Sequence, residues 1–528
     1  MVYNGGKDIL MSVRTRFAPS PTGSPHIGNI RTAIFDWLLV KKLGGQFIAR
    51  LEDTDRTPGR YDPIGIYDLE ASLRFLGMVP DEWWVSGGPC APYVQSERLA
   101  LYHTEIERLL AAGSAYKCYC TRERLDAMRA EQQLNKQPTG YDRKCRNLSI
   151  EEQGALEAAG NTFVVRLAMP LEGNTVLHDE VRGDITYENS LQDDQVLLKT
   201  DGFPTYFLAC AVDDHEMGIT HIIRGDDWLG SGAKLVQVFK ALGYEMPKII
   251  HPPLIVGADK KKLSKRHGST QFSTFIEEGY LPEAIINFMT LLGWSAGEEN
   301  RELFSIPELI DRFSLEGISD SPAVFDYDKL KWMNGHYIRA SQTGRIIGMC
   351  LPYLIKAGFL PEPPKQPAQT GDKEKDALAI KEFEPKKEEF KAKADYAGQA
   401  ICLEIEKLKV LSEVVGLTDF FFKELSFPED FEEKGRTKWM GLAHVRPLLE
   451  LEIARFSEIK NWTASELESA TRAIGEELSL KFGEVVHPTR LAVTGKTTGP
   501  SLFDAMQVLG RDRVLTRLSL LTSHLPTA

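Results

Sequence analysis

Short apolar runs and amphipathic stretches alternate through the first half of the chain, and the pattern becomes almost wholly helical after about residue 400. Val13 to Phe17 is rich in strand formers, and Pro19 to Gly23 cannot continue a strand. From His26 onward, Ile27, Ile30, Ile34, Trp37 and Leu38 recur at the spacing of one helix face, so strand, turn and helix are predicted in that order. Phe47 to Leu51 reads as a buried strand with Glu52-Asp-Thr-Asp55 at its carboxyl end. Phe163 to Ala168 and Val196 to Lys199 read as strands in a mixed segment, and Gly230 to Leu242 as a helix packing through Leu235, Val238, Phe239 and Leu242. Helical periodicity returns at Pro282 to Leu292, Ile401 to Leu417 and Val445 to Ile459, and in a run from Thr463 with Glu466 placed for a capping box. Between them, Pro361-Glu-Pro-Pro364 and the Lys/Glu tract from Lys373 to Lys393 carry few apolar residues and read as a linker or a solvated, partly disordered insertion.

This order predicts an α/β class: a doubly wound parallel sheet, an α+β insertion within it, and an all-α carboxyl-terminal half. The expected segments are 1–94 and 206–256 for the two halves of the sheet domain, 95–205 for the insertion, 257–340 for a module after the sheet, 341–400 for the linker and 401–528 for the helical region. No internal repeat is visible.

A chain of 528 residues with 42% hydrophobic content can bury several cores, and its seven cysteines form no disulfide framework. The net charge of −12 argues against general adhesion to nucleic acid, although local basic stripes still allow a shaped RNA to bind. No apolar stretch reaches membrane-spanning length; Val212 to Ile223 is broken by Asp213, Asp214, His215 and Glu216. Met1 to Leu10 holds Asn4, Gly5, Gly6 and Lys7 and lacks a signal-peptide core, so a cytoplasmic protein without membrane association is expected, with Met11 as an alternative start.

Two segments far apart carry chemistry. Pro19-Ser-Pro-Thr-Gly-Ser-Pro-His-Ile-Gly-Asn29 places a Gly-containing turn before a helix N-terminus, where free N–H groups and the helix dipole favour an anion. Gly28 lets an adenine or ribose lie against the backbone, and His26 can donate to a phosphate oxygen. Lys262-Leu-Ser-Lys-Arg266 sits in a basic, Gly-flanked run that reads as an exposed loop, whose lysines can follow the charge building on a departing pyrophosphate. Alone, the first is an ordinary α/β turn with a surface histidine and the second a solvated basic patch. Together they describe one ATP site.

With Arg16-Phe-Ala-Pro-Ser-Pro-Thr-Gly23, His26-Ile-Gly-Asn29, Leu51-Glu-Asp-Thr-Asp-Arg56, Ile223-Arg-Gly-Asp-Asp227 and Lys262-Leu-Ser-Lys-Arg266, the chain resembles bacterial-type glutamyl-tRNA synthetase, a class I aminoacyl-tRNA synthetase. The resemblance runs from about residue 13 to the Gly499-Pro-Ser-Leu-Phe503 region. It implies a Rossmann-type catalytic domain, an acceptor-binding insertion, a lysine-loop and stem-contact module, and a helical anticodon-binding region. It also implies His26, Lys262 and Lys265 as catalytic residues, and Ser20, His26, Gly28, Lys262, Ser264 and Lys265 at ATP. Arg16, Ser20, Glu52, Tyr206, Arg224 and Trp228 would form the glutamate pocket. In it Glu52 receives the α-ammonium, the arginines and the Tyr206 hydroxyl receive carboxylates, and Trp228 forms a wall. Glutaminyl relatives lack an arginine at the Arg224 position, and a buried guanidinium left unpaired by an amide gives discrimination of about 10⁴-fold or more. Cys210 departs from the asparagine of some members.

The implied reaction is attack of the glutamate α-carboxylate on the α-phosphorus of ATP with Mg²⁺, giving glutamyl-adenylate and pyrophosphate, followed by transfer to the tRNA 3′-terminal hydroxyl. No covalent enzyme intermediate is needed. Partners are L-glutamate, ATP and tRNA(Glu), with a monomer expected. Cys118-Tyr-Cys120, Tyr141 and Cys145 match the spacing with which some members hold a structural Zn²⁺ through three cysteines and a tyrosine. Cys90, Cys210, Cys350 and Cys402 are isolated and read as small apolar residues. In the helical region Lys407 aligns with an arginine that reads an anticodon base in many members, so charging of tRNA(Gln) as well is one alternative. The others are a relative that glutamylates queuosine in tRNA, disfavoured by the complete lysine loop and long helical half, and a non-catalytic tRNA-binding paralogue, disfavoured by His26, Gly28, Lys262 and Lys265.

Overall fold

The computed structural model describes residues 12–57, 61–264, 266, 268, 270–297, 301–368 and 372–526. The chain divides into two units, one of Met1–Ile276 with Pro282–Leu330 and the other of Glu277–Leu281 with Lys331–Ala528.

In the first unit, β1 (Arg14–Phe17) leads through the turn at Pro19 to Gly23 into the helix Ile27–Leu43, which returns the chain to β2 (Gln46–Ala49). Ile27, Ile30, Ile34, Trp37 and Leu38 are all buried, as their spacing requires. The helix stops at Gly44, whose φ of +68° places it in the left-handed cap conformation that glycine adopts without a Cβ penalty. β1 pairs in parallel with β2 through Thr15 and Phe47. On its other edge it pairs in parallel, at Thr15 and His221, with a strand from much later in the chain. The strand order therefore reverses at β1, and the carboxyl ends of its neighbours open a crevice there.

The later strands are β3 (Ala115–Cys118), β4 (Val164–Leu167), β5 (Asn174–Asp179), β6 (Gly183–Glu188), β7 (Val196–Leu198), β8 (His221–Ile223) and β9 (Lys248–Ile250). The main sheet runs β2-β1-β8-β9-β5-β6, and β3-β4-β7 make a separate antiparallel sheet. Two expectations change here. The β5–β6 hairpin, placed by sequence inside the 95–205 insertion, extends the main sheet, with Asp179 paired in parallel to Ile249 and β6 antiparallel at the edge. The sheet is thus mixed at one side. The helix Leu99–Ala111 likewise shares a core with the sheet domain, since Tyr102, Ile106 and Leu109 cluster with Ile48, Leu208, Ile222 and Leu235.

The second unit is helical. Its Lys373–Glu404 segment is one helix of 32 residues, where a linker or partly disordered insertion was expected. The Lys/Glu-rich composition that resembles a disordered tract is also a strong helix former, here capped by Asp372 and supported by the Glu389–Lys393 pair one turn apart. Only its end is anchored, through Ala397, Ala400 and Ile401. The single helix expected over Ile401 to Leu417 breaks after Glu404 into 3₁₀ turns at Ile405–Lys407 and Leu411–Glu413 and a short helix at Val414–Thr418. Glu413 Oε2 accepts from the Lys409 and Val410 N–H groups and caps this break. Val445–Glu458 and Ala464–Glu477 match the sequence reading, with Thr463 Oγ1 accepting from Glu466 N. Among the described residues no helix is long and apolar enough to cross a membrane.

Candidate active site

β1 and the segments that follow β1, β2 and β8 line a cleft of about 680 Å³, with Arg16 on β1, Ser20 just after it, Glu52 after β2 and Arg224 after β8. Tyr206 and Trp228 also line it. All six residues assigned by resemblance to the glutamate pocket therefore share one cavity.

Its floor is a buried ionic network. Arg16 Nε lies 3.1 and 3.2 Å from the two carboxylate oxygens of Asp214. Arg50 donates to Asp214 at 2.8 Å and to Glu52 at 3.0 Å, and Arg98 donates to Asp213 at 2.6 Å. Three guanidinium groups thus face the three carboxylates of Glu52, Asp213 and Asp214, which is what makes so many charges tolerable under one surface. Burial pushes the Asp214 carboxyl up, but Arg16 and Arg50 outweigh it and hold the group below its ordinary value. At Glu52 burial wins over Arg50 and Arg16, and its carboxyl is raised. A cation arriving in the cleft would reverse that shift.

Cys210 is not merely a small apolar filler. Its thiol donates to Asp214 at 3.2 Å and lies 3.8 Å from Arg16 Nη2, so it occupies a polar position. Burial pushes this thiol up to about 12, and it stays protonated. Cys90 likewise meets the Arg14 guanidinium at 3.8 Å.

The wall is aromatic. The Tyr206 ring stacks on Trp228 at 4.3 Å between centroids, and Arg224 Nη1 donates to the Tyr206 hydroxyl at 3.2 Å. Arg224 Nε donates to His251 Nε2 at 3.0 Å, and His251 Nδ1 stands 2.6 Å from Asp179 Oδ2. Arg224 Nη2 is buried and has no hydrogen-bond partner among the described residues. Sequence reasoning missed Asp179, His251, Arg50 and Asp214. Nothing in the chain signals the first two as a pair, because only the β5–β9 register brings them together.

His26 caps the helix Ile27–Leu43, its Nδ1 accepting from Gly28 N at 3.1 Å. In the neutral ring the proton is then on Nε2, a donor. Burial lowers the pKa of this imidazole, and nearby Lys262 lowers it further. A Cβ on Gly28 would meet only His26 Nδ1, at 3.4 Å, so any need for glycine there arises from what lies outside the chain. Ile27 N donates to Thr270 O at 3.0 Å and Phe272 N to Pro25 O at 2.9 Å, so the segment just after the lysine loop is paired with the turn before the helix. The loop begins after a tight turn closed by Gly257 N donating to Lys261 O at 2.9 Å, with Leu263 N donating to Ile255 O at 3.1 Å outside it. Lys262 Nζ reaches Asp227 Oδ2 at 2.9 Å, next to the carboxyl end of β8. Ser264 is half-buried, and Lys265 falls outside the described residues. His26, Gly28, Lys262 and Ser264 do not line the cleft itself, which the same helix reaches through Asn29 and Thr32. The two distant sequence segments are nevertheless neighbours.

In the insertion, the Cys118, Cys120 and Cys145 sulfurs lie within 4.8 Å of one another. The Tyr141 hydroxyl is 3.2 Å from Cys118 Sγ and 3.5 Å from Cys120 Sγ. Burial raises the Cys118 thiol, but hydrogen bonds from Tyr141 and Arg166 outweigh it and lower its pKa. Three thiols and a phenol oxygen around one point are a donor set of tetrahedral size, soft enough for a borderline divalent metal. Lys407 lies in the helical unit on the turn Ile405–Lys407, with Nζ 2.7 Å from Glu404 Oε2.

The chain matches two described families, the catalytic domain of class I tRNA synthetases (E and Q) over residues 12–332 and an anticodon binding domain over residues 375–521. It is 41% identical to a glutamate–tRNA ligase of Moorella thermoacetica over 507 residues, covering 96% of this chain and 97% of that protein. Against the glutamate–tRNA ligase of Dehalococcoides mccartyi it is 42% identical over 516 residues, covering 97% and 98%. A crystal structure of a glutamate tRNA ligase from Elizabethkingia meningosepticum, in complex with its amino acid, superposes with a TM-score of 0.82 at 33% identity, covering 98% of this chain and all of that one. A nucleotide-binding sheet with an acidic and a cationic wall at its switch point, followed by a helical half, is the build of a class I aminoacyl-tRNA synthetase. Within that class the chain belongs to the glutamate–tRNA ligase family.

Proposed function

We propose that this enzyme attaches L-glutamate to tRNA(Glu) through a glutamyl-adenylate, and that the cleft on β1, β2 and β8 is where glutamate binds. The observation that carries this is the pairing of two buried groups of opposite sign in one cavity, Glu52 on one wall and Arg224, with its unpartnered Nη2, on another. A ligand with one ammonium and a side-chain carboxylate satisfies both. On this reading Arg16, whose Nε is held by Asp214, receives the α-carboxylate, the stacked Tyr206 and Trp228 bound the aliphatic stem, and Ser20 completes the rim.

Nucleotide is received at the helix N-terminus, where His26 Nε2–H and the N–H groups from Gly28 onward meet phosphate oxygens. The α-carboxylate oxygen bonds to the α-phosphorus while the bond to the pyrophosphate oxygen breaks, and Lys262, Ser264 and Lys265 meet the charge that leaves. Mg²⁺, used with ATP across this class of enzyme, supplies further charge neutralisation when bound. The tRNA 3′-terminal hydroxyl then attacks the activated carbonyl and AMP departs. Cys118, Cys120, Cys145 and Tyr141 would hold Zn²⁺, which ties the ends of the 118–145 segment together and adds folding energy there. The 95–205 insertion, without its β5–β6 hairpin, receives the acceptor end of tRNA, residues 257–340 carry the loop and stem contact, and the helical region beyond 401 meets the anticodon, with Lys407 near it. The enzyme acts in the cytoplasm as a monomer.

Charging purified tRNA(Glu) and tRNA(Gln) side by side with each amino acid tests this reading. Glutamate on tRNA(Glu) with no glutamine product is the expected outcome, and Arg224→Ala should abolish it. Near-normal glutamate kinetics in Arg224→Ala would refute the pocket assignment.

A further inference from the structure

Three neighbouring parallel strands deliver Asp179, His251 and Arg224 side by side, because Asp179 closes β5 and the other two lie one residue beyond β9 and β8. Asp179 is held from behind, its Oδ1 accepting from the Val181 and Arg182 N–H groups at 2.9 and 2.8 Å. His251 is fully buried, and Asp179 and Arg224 are nearly so. An arginine Nε always carries its proton, so His251 Nε2 accepts at 3.0 Å and Nδ1–H donates to Asp179 at 2.6 Å. Only one tautomer of the neutral ring satisfies both bonds.

We propose that neutral His251 is a positioning residue for amino-acid specificity, holding the Arg224 guanidinium by its Nε so that Nη2 meets the side-chain carboxylate of the substrate. This rests on Arg224 being the receiver of that carboxylate. With Nε tied to His251 and Nη1 tied to Tyr206 at 3.2 Å, the plane of the guanidinium is fixed, and Nη2 is the group left to the substrate. A free guanidinium at the same site would retain its charge and lose its aim, and it is aim that separates a carboxylate from an amide of the same shape.

Protonation of His251 would set N–H against N–H at Arg224 and release the clamp. The charged and titratable groups around it are Asp179, Arg224 and Arg182, with the Tyr187 hydroxyl close to Arg224 and Asp179. Glu52, whose carboxyl is raised by burial, and His26 stand at or near the same cleft, so a pH effect on glutamate use is assigned to the imidazole only by comparison with His251→Gln. Burial, joined by the two arginines, outweighs Asp179 and keeps the ring neutral at pH 7.

The test is steady-state aminoacylation by the full chain at saturating tRNA, with glutamate and ATP varied in turn, on His251→Phe, His251→Gln and Arg224→Ala beside the wild type. His251→Phe should raise the glutamate KM at least tenfold, move the ATP KM less than twofold, and narrow the preference for glutamate over glutamine. His251→Gln, whose amide oxygen can accept from Nε, should restore most of the loss. Because burial lowers the ring's pKa, any climb in wild-type glutamate KM from its protonation should begin only below about pH 6.5, and His251→Gln should flatten that climb. A glutamate KM in folded His251→Phe within twofold of wild type overturns the proposal. If His251→Phe does not fold, His251→Ala is judged by the same twofold criterion, and a pH climb that His251→Gln shares also overturns the proposal. Arg224→Ala separates the two levels. If that variant keeps its glutamate KM, the pocket reading fails; if it loses activity while His251→Phe is unaffected, only the clamp fails.

Discussion

Lys262 Nζ stands 2.9 Å from Asp227 Oδ2, so a lysine of the basic loop is held against the carboxyl end of β8, three residues from Arg224. The pair is largely exposed, and its worth to stability is small. Under the proposed reaction its worth to catalysis would be a separate matter, because a cation placed beside a leaving pyrophosphate acts only as charge develops.

Lys262→Ala is therefore expected to slow glutamate-dependent pyrophosphate exchange by about 10²-fold or more while leaving the thermal unfolding midpoint in place. Exchange rates and calorimetry on the same preparation check this. A variant that exchanges at the wild-type rate removes Lys262 from the chemistry.

Arg50 serves Glu52, Asp213 and Asp214 at once and is completely buried. Arg50→Met leaves three buried carboxylates with two guanidinium groups, Arg16 and Arg98, to balance their charge, and the expected loss is about 3–5 kcal/mol. Urea unfolding followed by fluorescence should show a lower midpoint with the slope nearly unchanged. An unaltered midpoint would mean that the remaining arginines suffice.

For the cysteine cluster, protein purified without chelator should contain about one zinc per chain by elemental analysis, and Cys145→Ser should lose it. Removing the metal should open the Cys118 and Cys145 thiols to alkylation and speed hydrogen exchange in β3 and β4, which flank the cluster. Metal content far below one per chain in the wild type would dismiss the site.

Glu452, fully buried in the helical unit, accepts from Thr489 Oγ1 at 2.8 Å, and burial pushes its carboxyl up to about 8. A group whose folded value lies above its unfolded one stabilises at low pH, and that contribution is lost as pH rises from about 4.5 through about 8. Glu452→Gln should match the wild type near pH 5 and exceed it at pH 8 by about 2 kcal/mol or more, since the amide has no charge to bury. Denaturation at both pH values measures the difference, and equal gaps at the two would contradict the shift.

The strand, turn and helix around His26 were legible because each has its own local signal: β-prone residues, prolines and glycine, then a 3.6-residue period. The six residues expected by resemblance to share a pocket do line one cleft, and they stand in or just beyond β1, β2 and β8 or on helical segments nearby. Pairings set by register were not. Asp179 and His251 face one another only because β5 lies next to β9, and the hairpin's place in the main sheet is equally a matter of long-range pairing. The Lys373–Glu404 helix was hidden for another reason: exposed helices and disordered tracts draw on the same polar residues, and the cap at Asp372 with its one-turn ion pairs decides between them.

The pairing of Thr270 and Phe272 with the chain at Pro25 to Ile27, and of Leu263 with Ile255, pins both ends of the segment that bears Ser264 and Lys265. Six residues lie between these pins, a leash of about 20 Å when drawn straight. The leash therefore ends beside the start of the first helix, where Thr270 accepts from Ile27. On the proposed reaction, reach as well as sequence then limits which phosphate the loop can serve.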